Sequence, residues 1–151
     1  MTDPAGIAPE AMAFVRANSR SFLLTRRASG APTGHPMTLR VGADGALLFN
    51  TYRASAKVRN LRRDPRVSCL VTTPAGDPAP HWVLVTGTAE LLERAAGAEA
   101  WRASTGGPAV RVGPAEVGAT VQARLADGRR VVVALHPVGA SGPVAGPIGP
   151  G

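Results

Sequence analysis

The sequence predicts a mainly β (α+β) domain of six mostly antiparallel strands, closed into a small barrel with short helices packed outside. Three observations lead there. Eighteen glycines and fourteen prolines make up about a fifth of the 151 residues, a density that breaks long helical bundles. Short apolar runs are separated by turn chemistry along the whole chain. Hydrophobic residues amount to 44% and charged residues to 18%, enough for one packed core and too apolar for full-length disorder.

The elements follow in order. Residues 1–8 read as a loose tail. Pro9–Asn18 is a helix, with Pro9 in the first turn and Met12 and Val15 at helical spacing. Ser21–Arg27 is a strand, followed by the turn-rich ASGAPTG. His35–Val41 is the second strand, with Pro36 near its start, where a missing N–H is tolerated. Asp44-Gly45 turns the chain into the strand Ala46–Thr51. Ser55 caps a helix over Ala56–Arg63, and Asp64-Pro65 stops it. Val67–Thr73 and Trp82–Leu92 are strands around the loop Pro74–Pro80, and Gly87 marks a bulge or bend. Glu93–Ala103 and Pro114–Ala126 are helices, the second weakened by Gly118. Asp127-Gly128 turns into the last strand, Arg130–His136. The domain spans 9–138, and the Gly/Pro-rich residues 139–151 read as a flexible tail.

No apolar run approaches the roughly 20 residues that span a bilayer, and residues 1–8 lack the pattern of a secretory signal. The one cysteine, Cys69, excludes an intramolecular disulfide and a cysteine-rich zinc site. A cytoplasmic protein is the expectation. The net charge of +7 comes from 16 arginines and a single lysine, Lys57, against 10 acids. Such a charge is open to nucleic acids, membrane surfaces and small anions alike, and its distribution decides among them.

That distribution is uneven. Arg53–Arg66 (RASAKVRNLRRDPR) holds six bases against Asp64 alone, a net +5. A helix starting at Ser55 aims its free N–H groups and dipole at the side where Ser55 and Lys57 lie. The preceding strand ends in Asn50-Thr51, two further polar side chains. A phosphate at this strand-to-helix corner meets amides, hydroxyls and an ammonium, with about 0.3–1 kcal/mol from the dipole alone. Arg59, Arg62 and Arg63 are more simply read as a solvated helix face.

The stretch FNTYRASAKVRNLRRDPRVS (49–68) resembles the flavin-phosphate motif of the pyridoxamine 5′-phosphate oxidase-like split β-barrel proteins, and among them the actinobacterial flavin and deazaflavin oxidoreductases. GAPTGHPMTL (30–39), VLVTGTAEL (83–91) and RRVVVALHP (129–137) support the resemblance, which covers about residues 10–138. It implies a split barrel of the FMN-binding type. It implies that Asn50, Thr51, Ser55 and Lys57 hold a cofactor phosphate, with the Ala56 amide. His35, Pro36, Met37 and Thr38 would line the ring, partly through backbone groups. It further implies a homodimer with the cofactor between protomers. Many deazaflavin-binding members carry a second base where this chain has Ser55 or Ala56, and a hydroxyl there suits FMN equally. The Arg-, Ala- and Gly-rich usage and NLRRDPRV favour coenzyme F420 over FMN.

The implied activity is hydride transfer from reduced coenzyme F420 to an activated double bond of a small organic substrate. The alternatives are an FMN enzyme or a non-catalytic cofactor carrier on the same fold. A basic nucleic-acid-binding domain is disfavoured, because aromatics are only 4% of the chain and there is little to stack bases. His35, His81 and His136 have no carboxylate at a recognisable spacing, so no metal or triad role is expected. His35 is a proton donor only if it faces the ring. Trp82 and Trp101 read as packing residues, Cys69 as a small buried hydrophobe. Arg40 either meets an acidic substrate or points outward.

Overall fold

The computed structural model describes residues 6–106 and 115–143. In chain order these form α1 (Pro9–Ala17), β1 (Arg20–Arg26), β2 (Pro32–Thr38), β3 (Arg40–Val41), β4 (Leu47–Tyr52), α2 (Ala56–Arg63), β5 (Arg66–Thr72), β6 (Trp82–Glu93), α3 (Arg94–Ala103), β7 (Thr105–Gly106), α4 (Ala115–Ala126) and β8 (Arg130–Ser141). The strands make one sheet in the order β2-β1-β5-β6-β8-β4-β3-β7, and every pairing is antiparallel. β2 and β3 are consecutive in the chain yet stand toward opposite ends of that order. The sheet therefore curls until its two ends meet at Leu39, giving a half-barrel.

The described residues contain eight strands where six were expected. The run His35–Val41 divides at Leu39, which is buried and donates its N–H to the Ser19 carbonyl at 3.3 Å. Residues before it pair with β1 and residues after it with β4. An apolar alternation reads the same on both sides of such a switch, so the sequence pattern is continuous while the pairing is not. β7 has two residues, too few for any periodicity, and it pairs with Arg40 and Val41. β2 also starts earlier, at Pro32, because the hairpin turn closes tightly through Arg27 N–H to Ala31 O at 2.8 Å.

Two boundaries move as well. Ile7, inside the expected loose tail 1–8, is 2% exposed and part of the core. β8 continues beyond residue 138 to Ser141, with Ala140 packed on the core. The remainder of those expected tails, 1–5 and 144–151, and Pro114 lie outside the described residues.

Alternation along the strands sorts side chains onto two faces. The inner face is the main core, built from Leu23, Leu47, Phe49, Cys69, Val71, Val83, Val85, Val133 and Leu135 with Met12 and Val15 of α1. The outer face is divided. Over β8 and β4 it is covered by α3 and α4, where Leu48, Val132 and Ala134 meet Ala98 and Leu125. Over β2, β1, β5 and β6 it carries the row Pro36, Phe22, Leu70 and Leu84, paired strand to strand and partly exposed.

Gly87 sits where the β6–β8 register shifts, between Thr86 and Gly87. A Cβ on it would lie 2.1 Å from the His136 carbonyl oxygen, a backbone atom. Only glycine allows β8 to cross so closely. Gly87→Ala is expected to destabilise the fold by about 1–3 kcal/mol, the range for overpacking. Urea denaturation checks it, and an unchanged midpoint would show that the two strands can part without cost.

Candidate functional site

The strand-to-helix corner is built by local capping. Ser55 has extended backbone (φ −71, ψ 155), and its Oγ accepts from the Val58 N–H at 3.4 Å. Its own N–H closes a turn onto the Tyr52 carbonyl at 3.0 Å. Thr51, buried on the inner face, places its Oγ1 3.4 Å from the Ser55 Oγ. α2 is fixed to the barrel by Val58 and Leu61, both buried. Asn60 is buried too, and its Nδ2 donates to the Thr25 Oγ1 at 3.1 Å. Asn60 escapes a reading of the sequence because a polar residue in a basic stretch looks like surface; its place between Val58 and Leu61 is the only hint.

The basic run is mostly self-satisfied. Arg62 and Arg53 share the Glu93 carboxylate at 2.7 and 3.6 Å. Arg66 holds Asp64 at 2.8 Å and lowers its pKa to about 2. Arg59 donates to the Ala54 carbonyl, and Arg63 to the Arg26 carbonyl and Asn60 Oδ1. Lys57 is half-buried, and no hydrogen bond or ion pair ties it to another of the described residues.

His35 lies across from Leu23, on the inner face. Its Nε2 is buried and has no hydrogen-bond partner. Burial first, then the charges of Lys57 and Arg27, lower its pKa below the ordinary histidine value, so the ring is neutral near pH 7. Lys57 and His35 are thus within electrostatic reach, and both have donor or acceptor capacity that the described residues leave unused. A buried polar atom of this kind requires a partner, and an anionic ligand with polar ring edges supplies one for each. The residues present fit a phosphate-bearing flavin or deazaflavin.

The other expected site residues divide between faces. Thr51 and Ser55 are linked by their hydroxyls, Lys57 follows Ser55 on the first turn of α2 and acts electrostatically on His35, and the exposed Ala56 adds a first-turn amide. The Asn50 side chain does not join them. Strand alternation turns it outward, where its Oδ1 accepts from Arg130. Met37 packs on the inner core, and its carbonyl accepts from the Ser21 Oγ at 2.8 Å. Pro36 and Thr38 present their side chains on the opposite face from His35, so only their backbone, on the edge strand β2, is available to a ring beside His35.

Arg40 has a structural role. It donates to the Ser104 Oγ and carbonyl at 2.7 and 2.6 Å and stacks over Trp101 at 5.1 Å, which fastens the end of α3. Trp101 packs with the outer cluster, and Trp82 is 42% exposed. Burial pushes the Cys69 thiol up to about 12, leaving it inert as a nucleophile. His136 does have a carboxylate partner, Glu90, at 2.8 Å on the neighbouring strand. A separation of 46 residues hides that pair from the sequence. No helix among the described residues is long and apolar enough to cross a membrane.

The family model described as pyridoxamine 5′-phosphate oxidase matches residues 7–140. No curated protein matches the chain. Among solved structures, a conserved hypothetical protein from Mycobacterium tuberculosis is 25% identical, with a TM-score of 0.66 over 94% of this chain and 88% of its own. A protein described as an F420 reductase is 18% identical, with a TM-score of 0.58 over 85% and 94% of the two chains. A heme storage protein from Vibrio cholerae is 17% identical, with a TM-score of 0.61 over 87% and 89%. The last two likenesses speak to the fold alone, and one fold evidently carries different cofactors. With nearly the whole described chain matched, and a curled antiparallel half-barrel to go with it, this chain belongs to the pyridoxamine 5′-phosphate oxidase family of split β-barrel proteins.

Proposed function

We propose that the protein is an oxidoreductase that uses reduced coenzyme F420 to reduce an activated double bond of a small organic substrate. One observation carries this reading: among the described residues Lys57, in the capped first turn of α2, and the His35 Nε2 both lack a partner, and the two lie within electrostatic reach of each other. FMN is the alternative cofactor, because Ser55 offers a hydroxyl that suits either phosphate. A cytoplasmic setting goes with both.

Such a cofactor, when bound, supplies the hydride chemistry itself. The residues of this chain do the rest. Lys57 and the first-turn amides of α2 hold the phosphate, and Ser55 keeps those amides aligned. The edge of β2 at His35–Thr38 would offer its backbone groups to the polar edge of the ring. His35, neutral, is either a hydrogen-bond donor or an acceptor to that edge, as its tautomer dictates.

A homodimer completes the proposal. The partly exposed row Phe22, Leu70 and Leu84, flanked by Pro36 and Trp82, lies on the part of the sheet that α3 and α4 leave open. An apolar row on an uncovered sheet face is where a second copy would sit. Leu70→Asp is expected to yield a monomer by light scattering with its strand content intact. A wild-type monomer at micromolar concentration would remove this part of the proposal.

Lys57→Ala removes a charged hydrogen bond, about 1.5–3 kcal/mol, so coenzyme F420 or FMN should bind roughly 10–100-fold more weakly. Fluorescence titration measures this, and circular dichroism verifies the fold. Equal affinity in the variant would take Lys57 out of the site. Substrate-dependent bleaching of the bound cofactor separates an enzyme from a carrier.

His35 gives a pH test. Its folded pKa lies below its unfolded one, so the unfolded chain takes up a proton first as pH falls. Stability is full above the ordinary histidine range and is lost as pH drops from there through the folded value. Thermal melting between about pH 7.5 and 5 should show that slope, and His35→Asn should flatten it. A phosphate bound beside Lys57 should raise the His35 pKa in an NMR titration, and no movement would place the phosphate elsewhere.

A further inference from the structure

A second anion-attracting site lies on the other side of the same corner. Tyr52, Arg53, Ala54, Arg62, Arg124, Gly128 and Arg129 line an open cavity of ≈ 800 Å³. None of His35, Thr51, Ser55 or Lys57 takes part in that lining. Strand alternation explains the separation, since Thr51 points into the barrel and Tyr52 out of it.

The cavity is strongly cationic. Four guanidiniums form its wall. Arg130 stacks over the Tyr52 ring at 4.2 Å, and Arg94 reaches the adjoining turn at the Asp127 carbonyl. Against these six stand two carboxylates: Glu93, shared by Arg62 and Arg53, and Asp127, paired with Arg129 at 3.4 Å. The net charge of the group is +4, and among the described residues Arg94, Arg124 and Arg130 have no carboxylate partner, an excess that suits a polyanionic phosphate ligand. Arg124 is held in place by donating to the Tyr52 Oη at 3.1 Å. Tyr52 lines the cavity and is 51% exposed, with one ring face covered by Arg130.

We infer that this cavity binds a phosphorylated planar ligand of the nucleotide class, its ring on Tyr52 and its phosphates among Arg53, Arg62, Arg124 and Arg129. Planar guanidiniums suit phosphate oxygens through paired N–H groups. The tyrosine adds stacking for the base. The inference stands apart from the proposed redox site and uses none of its residues.

Isothermal titration with ADP tests it, with adenosine and pyrophosphate as separate arms. The full chain should bind ADP saturably and more tightly than either fragment. The double variant Arg124→Ala, Arg129→Ala should weaken ADP at least tenfold with an unchanged melting temperature. Arg102→Ala, which removes the same charge from an exposed pair with Glu99, should leave ADP affinity unchanged, and so should Lys57→Ala. Absent saturable binding overturns the inference. So does an equal loss in Arg102→Ala, which would reveal general charge attraction, or a loss in Lys57→Ala, which would place ADP in the redox corner. Pyrophosphate binding as tightly as ADP overturns the part assigned to Tyr52.

Discussion

Chain continuity between β2 and β3 constrains everything else in this fold. Two strands joined by one buried residue, Leu39, lie toward opposite ends of an eight-stranded order. The sheet has no option but to curl. Curling creates an enclosed inner face, which the Leu, Val and Phe side chains of β1, β4, β5, β6 and β8 fill. It also leaves β2 at the end of the order among the described residues, with His35 on its inner side and within electrostatic reach of Lys57 on α2. The candidate site is therefore tied to closure, which sets an edge strand and a capped helix within reach of one another.

What the sequence made legible follows from the range of each signal. Local devices could be read directly. The Ser55 cap, the Asp64-Pro65 stop and the Gly45 and Gly128 turns (φ 84 in both) act within four residues, so α2 and the hairpins fall where propensity puts them. Gly87 announced its register shift because only a glycine can sit against a crossing backbone. Long-range pairings left no such trace. The switch at Leu39, the two-residue β7, the Glu90–His136 pair and the Asn60–Thr25 bond all join residues distant in sequence. Asn50 shows the cost of reading a motif as a linear string. It adjoins Thr51 in sequence, but the two-residue period of a strand turns it to the other face.

Electrostatics then distinguishes bases that look alike on paper. In a run of net +5, most guanidiniums find a carboxylate or a carbonyl nearby. Exposed pairs of this kind stabilise the fold little; their effect is to occupy the arginines. Lys57 is different because it is half-buried and its donors are uncommitted among the described residues. Its charge reaches His35, and burial keeps that ring neutral. An ammonium with donors uncommitted among the described residues, within electrostatic reach of a neutral imidazole, is the pairing on which the proposed phosphate-bearing cofactor rests.

The same two-residue period places a second basic environment directly behind the first. From Thr51 to Tyr52 the chain passes from the inner mouth to the outer arginine-lined cavity, so a single peptide separates the two. The two share the Arg53–Ser55 segment and α2, which gives Lys57 to one and Arg62 to the other, while the alternation of β4 turns Thr51 and Tyr52 to opposite faces. The positive charge at this corner thus falls into two groups of different character. One is half-buried, with one ammonium and one neutral imidazole; the other is open, with several guanidiniums around a phenol ring. Ligands that differ in charge and shape would be sorted by that division, and the Tyr52–Ser55 turn and α2, common to both groups, are the elements through which occupancy of one would be felt at the other.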